Sequence, residues 1–176
     1  MITPILLLIP PALLSLYLLI KNRLLKDGYY CAAAILLTVT AFAIRALCMP
    51  YKTLDYIDFL SRWVEFFRVN GGFAGLKTPI GNYNVPYLYF LALFSYIPID
   101  DLYLIKILSI FFDVFLAYGV MKITMRCCDS PIKHMAAFFA VLLWPTVILN
   151  GALWSQCDSI YVALGVWSIY LAMEEK

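Results

Sequence analysis

Long apolar runs alternate with short polar junctions along the chain. Five runs approach or reach spanning length: Ile2–Ile20, Tyr29–Met49, Leu102–Met121, His134–Leu149 and Ser159–Met173. A helix crosses the hydrocarbon core with about 20 residues, so each is read as a membrane span. Pro4, Pro10 and Pro11 lie in the first run. They predict a kink there, which membrane helices tolerate when the freed carbonyls find other partners. The charges of this segment follow the apolar run, the reverse of a cleaved signal peptide. An interfacial helix is its span-free alternative. Val85–Pro98 is a sixth run, bounded by Gly81–Asn84 and by Pro98-Ile99-Asp100-Asp101. It is short for a span and reads as a re-entrant or interfacial helix.

Basic residues orient the spans. Lys21, Arg23 and Lys26 form one cluster, and Lys122, Arg126 and Lys133 form another. Short cytoplasmic loops carry the excess of Lys and Arg. Both clusters fall on one side only if Val85–Pro98 does not span. The expectation is therefore an N-terminus outside and cytoplasmic loops at Lys21–Gly28 and Lys122–Lys133. Pro50–Asp101 becomes a long external loop, and Asn150–Asp158 a short one.

Within Pro50–Asp101, Ile57, Leu60, Val64 and Phe67 recur at helical spacing and form one apolar face. Trp63 flanks it, and Asp55, Asp58, Arg62 and Glu65 take the other side. Asp58 and Arg62, four apart, are placed to pair. Asn70-Gly71-Gly72 predicts the stop. The helix is expected to lie on the outer membrane surface, apolar face down. Asp55 near its start has a simple reading as a residue that satisfies free backbone donors. Tyr83, Tyr87 and Tyr89 suit either the headgroup level or the stacking face of a sugar pocket.

Composition supports the membrane reading. Of 176 residues, 64% are hydrophobic and only 14% charged. A soluble chain of this size has too little interior for so much apolar surface. Intrinsic disorder is excluded on the same ground. Five Cys is an odd number, which argues against a disulfide-stapled secreted domain. A net charge of +2 gives a nucleic-acid partner no support. His134 stands alone, Cys127 and Cys128 are adjacent, and no phosphate-cradling glycine loop is present. No residue pattern therefore supports a divalent metal.

Ionisable groups inside spans are expensive and face a cavity or a partner. Asp113 lies near the middle of its span and reads as an interhelix polar contact. Lys106 lies two turns earlier on the same face and reads as a snorkelling lysine. Arg45 is read as a snorkelling anchor or an anion contact. Trp154, Gln156 and Asp158 gather in the second external loop, on the same side as Asp55. Asp158 and Ser159 are placed to cap the last span.

Four stretches, in this order, resemble the multispanning GT-C-type glycosyltransferases that use lipid-phosphate sugars. The first is Asp55-Tyr56 with Trp63 and Gly71-Gly72. The second is Asn84-Val85-Pro86-Tyr87-Leu88-Tyr89, similar to a tyrosine-proline-proline-leucine stretch with Val85 in the first proline's place. The third runs from Lys106 to Asp113. The fourth is Trp154-Ser155-Gln156-Cys157-Asp158-Ser159-Ile160-Tyr161, with Ser155 in a glycine's place. The nearest branch is the bacterial mannosyltransferases related to the enzyme that adds the second mannose of the GPI anchor.

The resemblance implies an all-α, GT-C-like polytopic protein. It would have about five transmembrane helices, an outer-face amphipathic helix and a short re-entrant or interfacial helix. Residues 1–176 would form one transmembrane domain, with 50–101 its first long external loop. It also implies the N-terminal portion of a longer enzyme in the bacterial cytoplasmic membrane, with its active face outside. The implied reaction transfers a sugar, usually mannose, from a polyprenyl-phosphate donor to an acceptor hydroxyl with inversion. Asp55 would be the catalytic base. Arg45, Arg62, Tyr87, Lys106, Trp154, Gln156 and Asp158 would bind substrate, while Asp58 and Asp113 would be structural. The acceptor is a glycan, a glycolipid or a protein, with membrane lipid and a partner subunit as further partners. Two alternatives stand beside this reading. One is a transporter or flippase component for lipid-linked sugars. The other is a structural or partner-binding membrane protein that docks through the Asp55–Val69 helix.

Overall fold

The computed structural model describes residues 2–174. Every regular element among these residues is helical, with no strand. The long helices are α1 (Ile2–Lys21), α2 (Gly28–Cys48) and α5 (Asp101–Cys127). Each is long and apolar enough to cross a membrane. Between α2 and α5 lie the shorter α3 (Ser61–Val69) and α4 (Val85–Phe94). After α5 come α6 (Pro131–Leu142), α7 (Pro145–Ile148) and α8 (Asp158–Glu174).

Among the described residues three helices have spanning length and composition, or four if a bent pair is one span. The run His134–Leu149 is not one straight rod. Pro145 lacks an amide donor, so α6 ends before it. The chain restarts as α7 and a π-helical turn, Leu149–Leu153, with a bend of 46°. Helix α8 has 17 described residues and falls just short of spanning length. Prolines 10 and 11 lie inside α1, which continues through them. Helix α4 is apolar but too short to cross, as its sequence indicates.

Helix α5 is longer than its apolar run and continues through Lys122 and Arg126. The expected loop Lys122–Lys133 is therefore mostly helix. The reason is a partner: α8 lies beside this end of α5. Arg126 pairs with Glu174, and Lys122 sits over the Tyr170 ring. α5 is the central post, packed against α1, α6 and α8. At the other junction Asp27 caps α2, accepting from the amides of Tyr29 and Tyr30. Asn22 reaches Tyr118 of α5, so both basic clusters lie at one end of the bundle.

Two apolar cores result. One joins α1, α2, α5 and α6 through residues such as Leu19, Phe42, Ile110 and Phe138. The other joins α3 and α4 to the start of α5 through Val64, Phe67, Leu91 and Ile105. The second core corrects the expected surface helix. The apolar face of α3 is covered by protein, with Val64 and Phe67 both 0% exposed, and does not lie free for lipid. Ile57 also leaves that face and is 45% exposed, whereas Tyr56 is buried. A π-helical turn at Tyr56–Leu60 precedes α3. It inserts about one residue into the helical phase, which rotates the residues before it.

Helix α3 stops where the sequence indicates. Gly71 and Gly72 have φ of +73° and +62°. A Cβ on Gly72 would meet the Tyr96 ring at 2.1 Å. The Tyr96 hydroxyl accepts from the Phe73 amide and donates to the Gly71 carbonyl, both at 3.0 Å. Gly72→Ala is expected to break this clasp and destabilise by about 1–3 kcal/mol. Thermal unfolding in detergent measures it, and an unchanged midpoint contradicts it.

Candidate functional site

A cleft opens at the end of the bundle opposite the basic clusters, where α2 ends and α5 begins. Three separate segments build it. The segment after α2 brings Asp55, one residue before the π-turn. The loop before α4 brings Asn82 and Tyr83. The loop between α7 and α8 brings Gln156. The cleft holds about 220 Å³ and is also walled by Phe59, Leu60 and Trp63.

Gln156 ties the three together. Its Nε2 donates to Asp55 Oδ2 at 3.1 Å, and its Oε1 accepts from the Tyr83 hydroxyl at 2.8 Å. The tyrosine fixes the orientation of the amide, and the amide holds one carboxylate oxygen of Asp55. Asp55 remains exposed to the cleft. The Trp63 and Tyr83 rings meet edge to face with centroids 5.4 Å apart.

A second cleft of about 440 Å³ lies on the other side of Tyr83. Its walls are Tyr87, Phe90, Cys157, Ile160 and Tyr161, with Asp158 as its carboxylate. Tyr87 is buried and packs on Tyr83 with centroids 5.0 Å apart. Asp158 accepts from Asn150 Nδ2 at 2.8 Å. Burial pushes the Tyr83 hydroxyl up to about 12, aided by the negative field of Cys157, Asp158 and Asp55. Burial, and then Asp158, pushes the Cys157 thiol up to about 11. Tyr83 therefore keeps its proton, and its donation to Gln156, across the neutral and mildly alkaline range.

The two clefts carry two carboxylates, and no Lys or Arg among the described residues lines either one. This corrects the expected anion contacts. Arg45 is 0% exposed. It donates to Asp113 Oδ2 through Nε at 3.2 Å and Nη2 at 2.8 Å, and to the Leu142 carbonyl at 2.8 Å. Lys106 is also 0% exposed and does not snorkel. Its Nζ donates to the carbonyls of Cys48, Met49 and Tyr51 at 3.0, 3.1 and 2.6 Å. These carbonyls lie at and just beyond the C-terminal end of α2, where the helix dipole favours a cation. Arg62 is exposed on α3, 3.7 Å from Asp58, in a weak surface pair. None of the three reaches the cleft, and Asp58 lies outside it.

Asp113 is fully buried between α2 and α8. Besides Arg45 it accepts from Ser159 Oγ at 2.5 Å. Ser159 is thus used inward, and Asp158 opens α8 with its carboxylate bonded to Asn150. Trp154 is exposed, and its ring lines neither cleft. Its carbonyl accepts from Thr53 Oγ1 at 3.4 Å. All five cysteines are free thiols. No group of three metal-binding side chains occurs among the described residues.

Trp63, Asn82 and Tyr83 join the cleft although the sequence reading set none of them among its site residues. Tyr83 had a signal in its aromatic run with Tyr87 and Tyr89. Tyr89 lies elsewhere, against Phe73. Ser155 has φ of +63° and a buried hydroxyl without a partner. That backbone region favours glycine. Ser155→Gly is expected to stabilise the protein by about 1 kcal/mol, by relieving strain and an orphaned hydroxyl. A lowered unfolding midpoint would contradict this.

The chain matches no family model, no curated protein and no solved structure.

Proposed function

We propose that this chain carries the acceptor-activating half of a membrane glycosyltransferase that uses a polyprenyl-phosphate sugar, with Asp55 as general base. The observation that supports the reading most is the contact of Gln156 with Asp55, which sets a carboxylate beside amides and aromatic walls. Trp63 and Tyr83 offer ring surfaces to the apolar face of a sugar. Asn82 and Gln156 offer amides to its hydroxyls. Asp55 Oδ1 is free of protein partners among the described residues and can take a proton.

In the proposed step the acceptor hydroxyl loses its proton to Asp55. Its oxygen forms a bond to the anomeric carbon from the side opposite the donor phosphate. The bond from that carbon to the phosphate oxygen breaks, and the phosphate leaves with the electron pair. The sugar inverts. The clefts supply no cation to the leaving phosphate, so in this proposal its charge is met by groups beyond the described residues. Mannose is the sugar proposed, from the resemblance alone.

Location follows from charge. Both basic clusters lie at the end opposite the cleft. Under the positive-inside rule that end is cytoplasmic and the cleft faces outward, in a bacterial cytoplasmic membrane on this reading. The transport alternative receives no support from Arg45, Lys106 and Asp113, which are satisfied by protein groups. The docking alternative loses the apolar face of α3, which is covered by α4 and α5.

The test is transfer of labelled mannose from polyprenyl-phosphate mannose in membranes bearing the full-length native protein. Label should pass to an endogenous glycan, glycolipid or protein. Label incorporation no greater than in membranes lacking the protein would sink the reading.

A further inference from the structure

Lys106, Ser109 and Asp113 are spaced three and four residues apart on α5. At about 100° per residue they fall within roughly 60° of one another on one face. All three are 0% exposed. Each holds a different piece of chain. Lys106 holds the carbonyls of Cys48, Met49 and Tyr51, the last of them four residues before Asp55. Ser109 Oγ donates to the Gln156 carbonyl at 2.7 Å. Asp113 holds Arg45 of α2 and Ser159 at the start of α8. The π-turn before Gln156 lies directly on this face. A Cβ on Gly151 would come 3.1 Å from Ser109 Cβ and within 3.8 Å of both Asp113 carboxylate oxygens.

The two sides of the cleft therefore hang from one face of one helix. Lys106 anchors the side that carries Asp55, and Ser109 anchors the backbone of Gln156 itself. Apolar groups at Lys106 and Ser109 would leave the carbonyls of Cys48, Met49, Tyr51 and Gln156 without these donors. What an apolar replacement would not give is a fixed register, because dispersion has no direction and a hydrogen bond does.

We propose that Ser109 is a positioning residue for the cleft. Through its hydrogen bond to the Gln156 carbonyl it sets the Gln156 amide against Asp55 and Tyr83, with Lys106 holding the opposite side. This rests on the reading of the cleft as the functional site, but its test needs no substrate.

The test is fluorine NMR of the full chain in nanodiscs, with 3-fluorotyrosine placed at position 83. The probe reports the hydrogen bond that Tyr83 donates to Gln156. Gln156→Ala defines the signal without that bond. Ser109→Ala is expected to move the resonance toward the Gln156→Ala position or to broaden it by exchange. Ser109→Thr, which keeps the hydroxyl, is expected to return it to the wild-type position. Gly151→Ala, which pushes the turn off the same face, is expected to reproduce the Ser109→Ala signal. It decides the question if Ser109→Ala does not fold. Thr38→Ala removes a buried hydroxyl remote from this face and is expected to leave the signal alone. A merely structural role for Ser109 would lower the melting temperature and leave the resonance in place, which would overturn the proposal. If membranes bearing the protein incorporated no more label than membranes lacking it while Ser109→Ala moved the signal, the transferase reading would fall and the positioning role would stand.

Discussion

Asp113→Ala is expected to destabilise the protein by about 3–5 kcal/mol, the usual cost of leaving one member of a buried ion pair behind. Asp113 and Arg45 are both 0% exposed in their side chains. The carboxylate accepts from Arg45 Nε and Nη2 and from Ser159. The guanidinium has two further acceptors, the carbonyls of Ala41 and Leu142. Three helices and the bend after α6 meet at this pair. Removing the carboxylate leaves a buried guanidinium facing neutral carbonyls without its counter-charge. Ser159 loses its acceptor as well. The double variant Arg45→Met with Asp113→Leu removes both charges and refills much of the volume. It is expected to cost less than Asp113→Ala alone, because the penalty lies in the unpaired charge. The single variants Arg45→Met and Asp113→Leu should then fail to add by more than about 1 kcal/mol, as contacting residues do. Thermal or denaturant unfolding in one fixed detergent reads Asp113→Ala, the double variant and its two singles. Asp113→Ala with a wild-type midpoint, or a double variant at least as unstable as the sum of the singles, would refute the assignment.

The apolar runs gave the helices because length and hydropathy are local quantities. The same holds for the stop at Asn70-Gly71-Gly72 and for the short α4, both read from residues that act on their own backbone. The side on which each helix is buried was less legible. Val64 and Phe67 recur at helical spacing whether lipid or protein covers them. Only the return of α4 and α5 shows that protein does. Ile57 was misplaced because a π-turn changes the phase without a sequence mark. Arg45 and Asp113 are 68 residues apart in the chain, so a reading along the sequence placed Asp113 in an interhelix polar contact without naming its partner and gave Arg45 a separate role as a snorkelling anchor or anion contact. Lys106 is the sharpest case. A lysine near a helix end normally snorkels, but here the carbonyl end of α2 comes to it. In the cleft, the gathering of Asp55 and Gln156 on one side was legible from the order of spans. The part played by Tyr83 was not, because a tyrosine that ends at the headgroup level and one that orients an amide have the same sequence.

Asp55→Asn is expected to lower sugar transfer by 10²–10⁴-fold, the range over which a positioned base accelerates proton removal. The substitution is nearly isosteric. Its amide oxygen can still accept from Gln156 Nε2, the contact seen at 3.1 Å for Asp55 Oδ2. The exposed side chain needs no other partner, so stability is expected to stay within about 0.5 kcal/mol of wild type. Activity and fold therefore separate in this variant, which they do not at Asp113. Donor binding should be nearly unchanged, because in the proposed step the lost group acts on the acceptor hydroxyl. The loss should appear in kcat, with KM for the donor preserved. Gln156→Ala is expected to act more mildly, since it leaves the base in place and removes only its orientation. It should also free Tyr83. A variant Tyr83→Phe, which leaves Gln156 without its orienting donor, should shift activity in the same direction as Gln156→Ala. Full transfer by Asp55→Asn would remove the base from Asp55. An equal loss in Asp55→Asn and Tyr83→Phe would instead give the cleft a binding role, with the proton taken elsewhere.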